Sequence, residues 1–182
     1  MHIQCISTGF ISSMGIDFVT ILYEAIAQSK SSFGVVAVRN EKVFGFAAFT
    51  TNINELYKSI IRRKGLKFAL LLAGRICSLK RIKSMFETLF YPARTKKMNL
   101  PSAELLSIAV AGEEQRKGLA GQLIEKGFGH YRENGVDNVK VLIGADNTAG
   151  NNFYLKYGFE RVGQIPNHGV LSNIYIAQTN KV

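Results

Sequence analysis

The chain has 182 residues and a formal net charge of +10, with 47% apolar and 20% charged residues. This length suits one domain with a substantial core and is short for two, and the composition excludes a disordered or low-complexity chain. We therefore predict a single domain over residues 1–182.

Nothing in the sequence indicates secretion, a membrane span or a metal site. The first residues lack a basic region followed by a long apolar run, and the apolar stretch at 68–74 is too short to cross a bilayer. Cys5 and Cys77 have neither metal-ligand nor redox spacing, so we expect two ordinary thiols and no metal. A cytoplasmic location is expected.

The first half of the chain predicts a strand, a helix and a hairpin. Residues 2–8 have strand character, and the apolar residues between Phe10 and Gln28 recur at helical spacing. Residues 33–39 and 42–51 are rich in Val and aromatic residues around a short polar turn, which is typical of an antiparallel hairpin.

The excess positive charge lies in one helical segment, residues 54–97. This segment holds 12 Lys and Arg residues against two Glu, so the remainder of the chain is close to neutral. We predict two or three helices over residues 54–90, broken near Gly65 and Ser78. Apolar residues recur between the basic ones, so a solvated face over extra core would explain the segment without any function.

Three functional interpretations of this segment are also open. In order, they are a pocket for an anionic acceptor such as a nucleotide-linked amino sugar, contact with an acidic membrane surface, and nucleic acid binding. Nucleic acid comes last because neither a recognisable nucleic-acid fold nor a set of base-stacking aromatics stands out.

The second half of the chain predicts alternating strands and helices. The predicted strands are 103–110, 138–145, 159–164 and 170–178, and the predicted helices run from Leu119 to Asn134 and from Ala149 to Tyr157. The 138–145 run is almost continuously apolar, which is typical of a strand that is covered on both faces and is parallel to its predecessor.

The loop between the 103–110 strand and the next helix has features of an anion site. A helix that begins at Leu119 directs unpaired N–H groups and the positive end of its dipole into this loop. Gly118 lets the backbone approach a ligand, while Arg116 and Lys117 add positive charge. A basic loop that merely caps a surface helix would explain the same residues. The choice between this interpretation and an anion site therefore depends on the downstream sequence.

Two motifs in the expected order resemble the GNAT superfamily of acyl-CoA-dependent N-acyltransferases. VAGEEQRKGLA at 110–120 matches the Gln/Arg-x-x-Gly-x-Gly/Ala signature, and NTAGNNFYLKYGF at 147–159 matches a second signature of Asn, a helix with Tyr, and Gly-Phe. The resemblance covers residues 101–164, and the first hundred residues agree only in the order of strands and helices.

The resemblance implies an α/β fold with a mixed, mostly antiparallel twisted sheet flanked by helices. Its central parallel strand pair would splay around the coenzyme, and the basic helical segment would be an insertion. The implied reaction transfers an acetyl group from acetyl-CoA directly to a primary amine, with an amino sugar or another small amine as the acceptor. A non-catalytic acyl-CoA-binding sensor or scaffold that uses its basic helical face is the alternative, and a homodimer is left open.

The resemblance also assigns coenzyme-binding residues. The pyrophosphate would lie on the loop and helix start, formed by Gln115, Arg116, Lys117, Gly118, Leu119 and Ala120. The pantetheine arm would use backbone groups of Ile108 and Val110. Asn147 would contact the arm or fix its loop, although an Asn at a helix start is also a good N-cap.

Acetyl transfer from a thioester needs a neutral amine, a stabilised oxyanion and a proton for the leaving thiolate. Tyr154 matches the tyrosine that the family uses as general acid, with an aromatic packing role as the alternative. Glu104 is the candidate base, with a surface carboxylate as the alternative, and a backbone N–H of the same strand would serve the oxyanion. His130 is expected to be structural, whereas His168 falls in a loop that could approach the acceptor.

Overall fold

The computed structural model describes residues 1–6, 10–73, 91, 97–167 and 170–181. Its helices there are α1 (His2–Cys5), α2 (Phe10–Ser13), α3 (Ile16–Ala27), α4 (Ile53–Ala73), α5 (Leu119–Glu133) and α6 (Thr148–Lys156). Its strands there are β1 (Ser32–Arg39), β2 (Lys42–Thr50), β3 (Glu104–Val110), β4 (Asn138–Gly144), β5 (Glu160–Asn167) and β6 (Val170–Gln178).

The strands form one sheet in the order β1-β2-β3-β4-β6-β5. The β3–β4 pair is parallel, and the other neighbouring pairs are antiparallel. This confirms the predicted α/β fold with a mixed, mostly antiparallel sheet, a parallel pair at its centre and flanking helices.

Two apolar clusters cover the two faces of the sheet. Helix α5 buries one amphipathic face, with Leu123, Ile124 and Phe128, against one side of the sheet, where the α6 residue Tyr154 also packs. The other side is covered by α3 and α4, through the cluster Ile26, Ala48, Ile53, Leu56 and Tyr91. The central strands are therefore buried on both faces, as the apolar run of β4 predicts.

The predicted first strand is wrong, because residues 2–5 form the one-turn helix α1. The predicted helix from Phe10 to Gln28 is divided at Gly15, which has a φ of +85°. The predicted break at Gly65 is also wrong, since α4 continues through this residue, whose missing Cβ would meet no described atom closer than 3.9 Å. The predicted break near Ser78 lies outside the described residues.

Strands β3 and β4 are paired at one end and separate at the other. Their registered pairs are Glu104 with Lys140 and Leu105 with Val141, while β3 stays paired with β2 as far as Val110. Leu106 is an extra residue opposite β2, a β-bulge that bends the strand and increases its twist. We call residues 106–110 the splayed segment, because they follow the last registered pair with β4.

A buried ion pair fixes the closed end of this strand pair. The Lys140 side chain is 0% exposed and its Nζ lies 3.2 Å from Glu104 Oε2. Lys140 Nζ also donates to the Pro101 carbonyl at 2.5 Å, and the Tyr91 hydroxyl donates to Glu104 Oε2 at 2.8 Å. Burial raises the pKa of Glu104, whereas Lys140 and Tyr91 oppose that rise.

We predict that Lys140→Met lowers the free energy of unfolding by about 3 kcal/mol at neutral pH, because Glu104 would be left buried without its counter-charge. The variant should raise the folded-state pKa of Glu104 further above its unfolded value. A carboxyl group whose pKa is higher in the folded than in the unfolded state lowers the free energy of unfolding fully at pH values above the folded pKa. This loss of stability decreases as the pH falls and disappears below the unfolded pKa. Urea unfolding across the acidic and neutral range measures the effect.

The double variant Lys140→Met/Glu104→Gln is the control, because it removes both charges. It should recover much of the lost stability at neutral pH. A deficit that does not change with pH, or that the second substitution leaves untouched, would contradict this account of the pair.

Candidate functional site

The start of α5 is uncapped and sterically open. The residue before the helix, Gly118, has a φ of +82°, and no side chain caps the helix. A Cβ at Gly118 would meet no described atom within 4 Å. None of the described groups accepts a hydrogen bond from the N–H groups of Leu119, Ala120 or Gly121, and the positive end of the helix dipole lies there, an arrangement that suits a phosphate group.

Side chains on either side hold this loop, residues 115–118, in place. The Gln115 amide donates to the Val110 carbonyl at 3.1 Å and so ties the loop to the end of β3. The largely buried Glu114 accepts from Arg39 at 3.2 Å and lies 3.5 Å from Lys117 Nζ. The structure thus gives Gln115 and Lys117 contacts within the protein.

Arg116 differs from its neighbours. Its φ is +61°, its side chain is exposed, and none of the described acidic residues forms an ion pair with it. An exposed guanidinium beside a helix N-terminus can bind phosphate oxygens in a bidentate manner.

Tyr157, the residue that follows α6, reaches the first turn of α5. A Cβ on Gly121 would overlap the Tyr157 hydroxyl, so only glycine allows this close approach. The approach brings the two predicted motifs together, since one contributes the loop and α5 and the other contributes α6.

Asn147 is the N-cap of α6. Its Oδ1 accepts from the Gly150 N–H at 2.9 Å, so the capping role considered from the sequence is present. Asn147 is exposed, and its Nδ2 donates to no residue in the described ranges. That amide hydrogen is available to a ligand.

A buried amide network fixes the end of β4 beside this cap. Asn151 donates to the carbonyls of Gly144 and Asn147 at 2.9 and 2.7 Å. Its Oδ1 accepts from Asn173 at 2.7 Å and from Tyr175 at 2.9 Å. Asn151 was not among the residues predicted from the sequence. The available signal was a second Asn four residues after the cap, inside a helix where Asn is otherwise unfavourable.

Tyr154 lies on α6 and is 5% exposed. Its ring packs edge-on against Phe159 and Phe153, with centroid distances of 5.1 and 5.4 Å. Burial raises the pKa of its hydroxyl, which therefore stays protonated at neutral pH. This hydroxyl hydrogen-bonds to none of the described residues, so Tyr154 is both a packing residue and an unused donor.

Glu104 is buried, so the alternative prediction of a surface carboxylate is wrong. Both of its contacts, with Tyr91 and with Lys140, are made by Oε2. No donor in the described part of the chain contacts Oε1. Because burial raises its pKa, Glu104 is a stronger base than an ordinary glutamate.

The backbone residues predicted to bind the coenzyme lie in the splayed segment. Ile108 is paired with Ala47 on β2 and lies beyond the last registered pair with β4. Val110 is at the end of the same segment, with its carbonyl already bonded to Gln115.

A hydrogen-bonded chain missed by the sequence analysis reaches the splayed segment from the α3 side. His2 Nδ1 lies 2.8 Å from the Tyr23 hydroxyl, which lies 2.7 Å from Ser107 Oγ. These residues are 21 and 84 positions apart, so no local motif could have signalled their contact.

The other sequence candidates are less informative. His130 packs against Phe33 at a centroid distance of 4.1 Å, in keeping with a structural role, and His168 lies outside the described residues. In the basic segment, Lys64 forms an ion pair with Glu24 on α3 at 3.0 Å. Residues 74–90 and 92–96 of that segment are outside the described ranges.

Two other kinds of site are absent from the described ranges. No helix there combines the length and apolar character that a membrane span requires. No three His, Cys, Asp or Glu side chains there form a group that could hold a metal ion.

Solved structures share this fold. SsHAT has a TM-score of 0.63 and 20% identity, with 89% of this chain and 80% of that chain covered. The PaiA N-acetyltransferase of Thermoplasma acidophilum, in complex with coenzyme A, has a TM-score of 0.54 and 13% identity, covering 89% and 70%. The ribosomal-protein-S18-alanine N-acetyltransferase of Escherichia coli has a TM-score of 0.52 and 17% identity, covering 86% and 75%.

No curated protein matched the chain. The family model described as the acetyltransferase (GNAT) family matches residues 9–159. This range includes the open start of α5, the splayed segment and the helix that carries Tyr154. Because the match covers most of the chain, the protein belongs to the GNAT acetyltransferase family.

Proposed function

We propose that this protein binds acetyl-CoA and transfers the acetyl group directly to a primary amine, without a covalent enzyme intermediate. The observation that carries the proposal is the uncapped, sterically open start of α5 at Gly118, next to a parallel strand pair that separates. Family membership supports it, and one structural neighbour was solved with coenzyme A.

The residues present fit the coenzyme. Gly118, Leu119 and Ala120 would offer backbone N–H groups to the pyrophosphate, and Arg116 would add charge-assisted hydrogen bonds. Gln115 and Lys117 would act mainly by holding the loop, through Val110 and Glu114 respectively. Backbone groups of Ile108 and Val110, with the Asn147 amide, would bind the pantetheine arm.

When bound, acetyl-CoA supplies an acyl group activated as a thioester. Tyr154 would donate its proton to the departing sulfur, since its hydroxyl stays protonated and lacks a described partner. Glu104 would accept the amine proton on Oε1, directly or through water, with Lys140 holding the carboxylate in place. A backbone N–H of the splayed segment would stabilise the oxyanion.

The proposed acceptor is a small primary amine, first of all one that carries an anionic group such as a nucleotide-linked amino sugar. Helix α4 supports this choice, because Arg62, Arg63 and Lys67 are exposed and form no ion pair with the described acidic residues. Lys64 ties α4 to α3, on the side of the sheet that also holds Glu104 and Ser107.

We further propose a single-domain cytoplasmic protein. Cys5 is a free and exposed thiol, which suits a reducing compartment.

The proposal is tested by measuring release of the coenzyme A thiol from acetyl-CoA, with nucleotide-linked amino sugars, polyamines, aminoglycosides and peptides as acceptors. Acceptor-dependent release with an N-acetylated product is the expected result. Saturable acetyl-CoA binding without release for any acceptor would favour the sensor or scaffold alternative.

We predict that Gly118→Glu weakens acetyl-CoA binding at least tenfold. The substitution places bulk and negative charge where the pyrophosphate would bind, at the positive end of α5. Gly135→Glu is a matched control, because Gly135 also has positive φ (+67°) and open space around it but lies beyond the opposite end of the same helix. Isothermal titration should show the loss for Gly118→Glu alone, and equal affinities for both variants would contradict the assignment.

We predict that Tyr154→Phe lowers kcat at least tenfold and leaves coenzyme affinity nearly unchanged. The ring packing against Phe153 and Phe159 is kept, while the proton donor is lost. Tyr157→Phe, three residues further along, should keep kcat close to that of the parent. A normal kcat for Tyr154→Phe would exclude the acid role.

A further inference from the structure

The His2–Tyr23–Ser107 chain links three elements that are distant in sequence. His2 belongs to α1, Tyr23 to α3 and Ser107 to β3, and the oxygen of Tyr23 lies within 2.8 Å of both neighbours. His2 is 8% exposed, and the rings of His2 and Tyr23 pack at a centroid distance of 5.4 Å. The chain is therefore held by packing as well as by hydrogen bonds.

Ser107 lies on the same face of the sheet as Glu104. On β2, Ser107 is paired with Ala48 and Glu104 with Thr50. Ala48 and Thr50 are two positions apart on one strand, so they and their partners point to the same face. Because of the bulge, Ser107 lies on this face together with Leu106, further along β3 than the proposed base and beyond the last registered pair with β4.

The hydrogens in the chain determine what Ser107 can do. Burial raises the pKa of Tyr23 to about 12 and lowers the pKa of His2, so at neutral pH Tyr23 is protonated and His2 is an uncharged imidazole. The two tautomers of His2 give opposite directions along the chain: in the Nε2–H tautomer Tyr23 donates to Nδ1 and its oxygen accepts the Ser107 hydrogen, and this is the arrangement that the proposal below requires. Ser107 Oγ then presents only lone pairs to its remaining surroundings.

We propose that Ser107 positions the acceptor by accepting a hydrogen bond from an N–H of the attacking amine, and that Tyr23 and His2 orient its hydroxyl for this purpose. The inference rests on the proposed function, because it requires the thioester to lie at the splayed segment. The proposed contact also favours primary over secondary amines as acceptors. A primary amine keeps an N–H in the amide product, whereas a secondary amine loses its last one.

Two coenzyme A conjugates test this contact without knowledge of the natural acceptor. Both carry a thioether-linked CH2–CO group, ending in an N-methylamide in one and in a methyl ester in the other. They are nearly isosteric, and only the amide has an N–H. Isothermal titration should show that the wild-type protein binds the amide about fivefold more tightly than the ester, because one ordinary hydrogen bond contributes a difference of about this size.

Substitutions assign the preference to the chain. Ser107→Ala should abolish it without changing affinity for coenzyme A itself, and Tyr23→Phe should reduce it by freeing the Ser107 hydrogen. Ser29→Ala is the control, because it removes another buried serine hydroxyl whose partner is Ser31 rather than Tyr23. This control should retain the full preference, and thermal unfolding verifies that each variant is folded.

The outcomes separate the two levels of the proposal. If coenzyme A binds but the wild type has no amide preference, or Ser107→Ala keeps it, the positioning role is overturned while the proposed function stands. Failure of wild-type protein to bind coenzyme A would overturn both.

Discussion

The site depends on β3 and β4 being joined at one end and apart at the other. Glu104 and Lys140 lie in the first registered pair, and their buried ion pair holds the strands together there. The bulge at Leu106 then turns β3 away, with its pairing to β2 maintained. A buried ion pair is a weak source of net stability compared with apolar packing, so its value here lies in fixing the register from which the strands separate.

The separated strands divide the proposed chemistry between two sides of the sheet. The α5 side offers unpaired N–H groups, an open glycine and an exposed arginine, all suited to phosphate. The α3 and α4 side holds a buried carboxylate and a serine hydroxyl that is hydrogen-bonded to Tyr23, which in turn is hydrogen-bonded to His2. Such a division suits a transfer reaction, because donor and acceptor would approach the same gap from different sides.

Local patterns predicted much of this structure. The hairpin, α5 and the apolar β4 follow from the periodicity of apolar residues. Gly118 could be predicted to precede a helix, because that position is recognised from the residues next to it in the sequence. The family and fold class were likewise confirmed. Two predictions made from short patterns were wrong: residues 2–5 of the predicted 2–8 strand form a one-turn helix, and Gly65 does not break α4. A four-residue segment carries too little periodicity to decide between strand and helix, and one glycine costs a helix only about 1 kcal/mol, which packing against α3 can offset.

Contacts between distant residues could not be predicted in the same way. No spacing in the sequence pairs Lys140 with Glu104, and only the fold brings the two side chains together. His2, Tyr23 and Ser107 meet because α1, α3 and β3 converge, which no spacing in the sequence records.

The central claim is that the start of α5 binds the pyrophosphate of acetyl-CoA. Parallel calorimetric titrations with acetyl-CoA and with S-acetylpantetheine, which carries the thioester and the arm but lacks the 3′-phospho-ADP group with its pyrophosphate, test it most directly. We expect saturable binding of acetyl-CoA and at least about tenfold weaker binding of S-acetylpantetheine, because each charge-assisted hydrogen bond contributes about 1.5–3 kcal/mol. Equal affinity for the two ligands, or no binding of acetyl-CoA, would contradict the account.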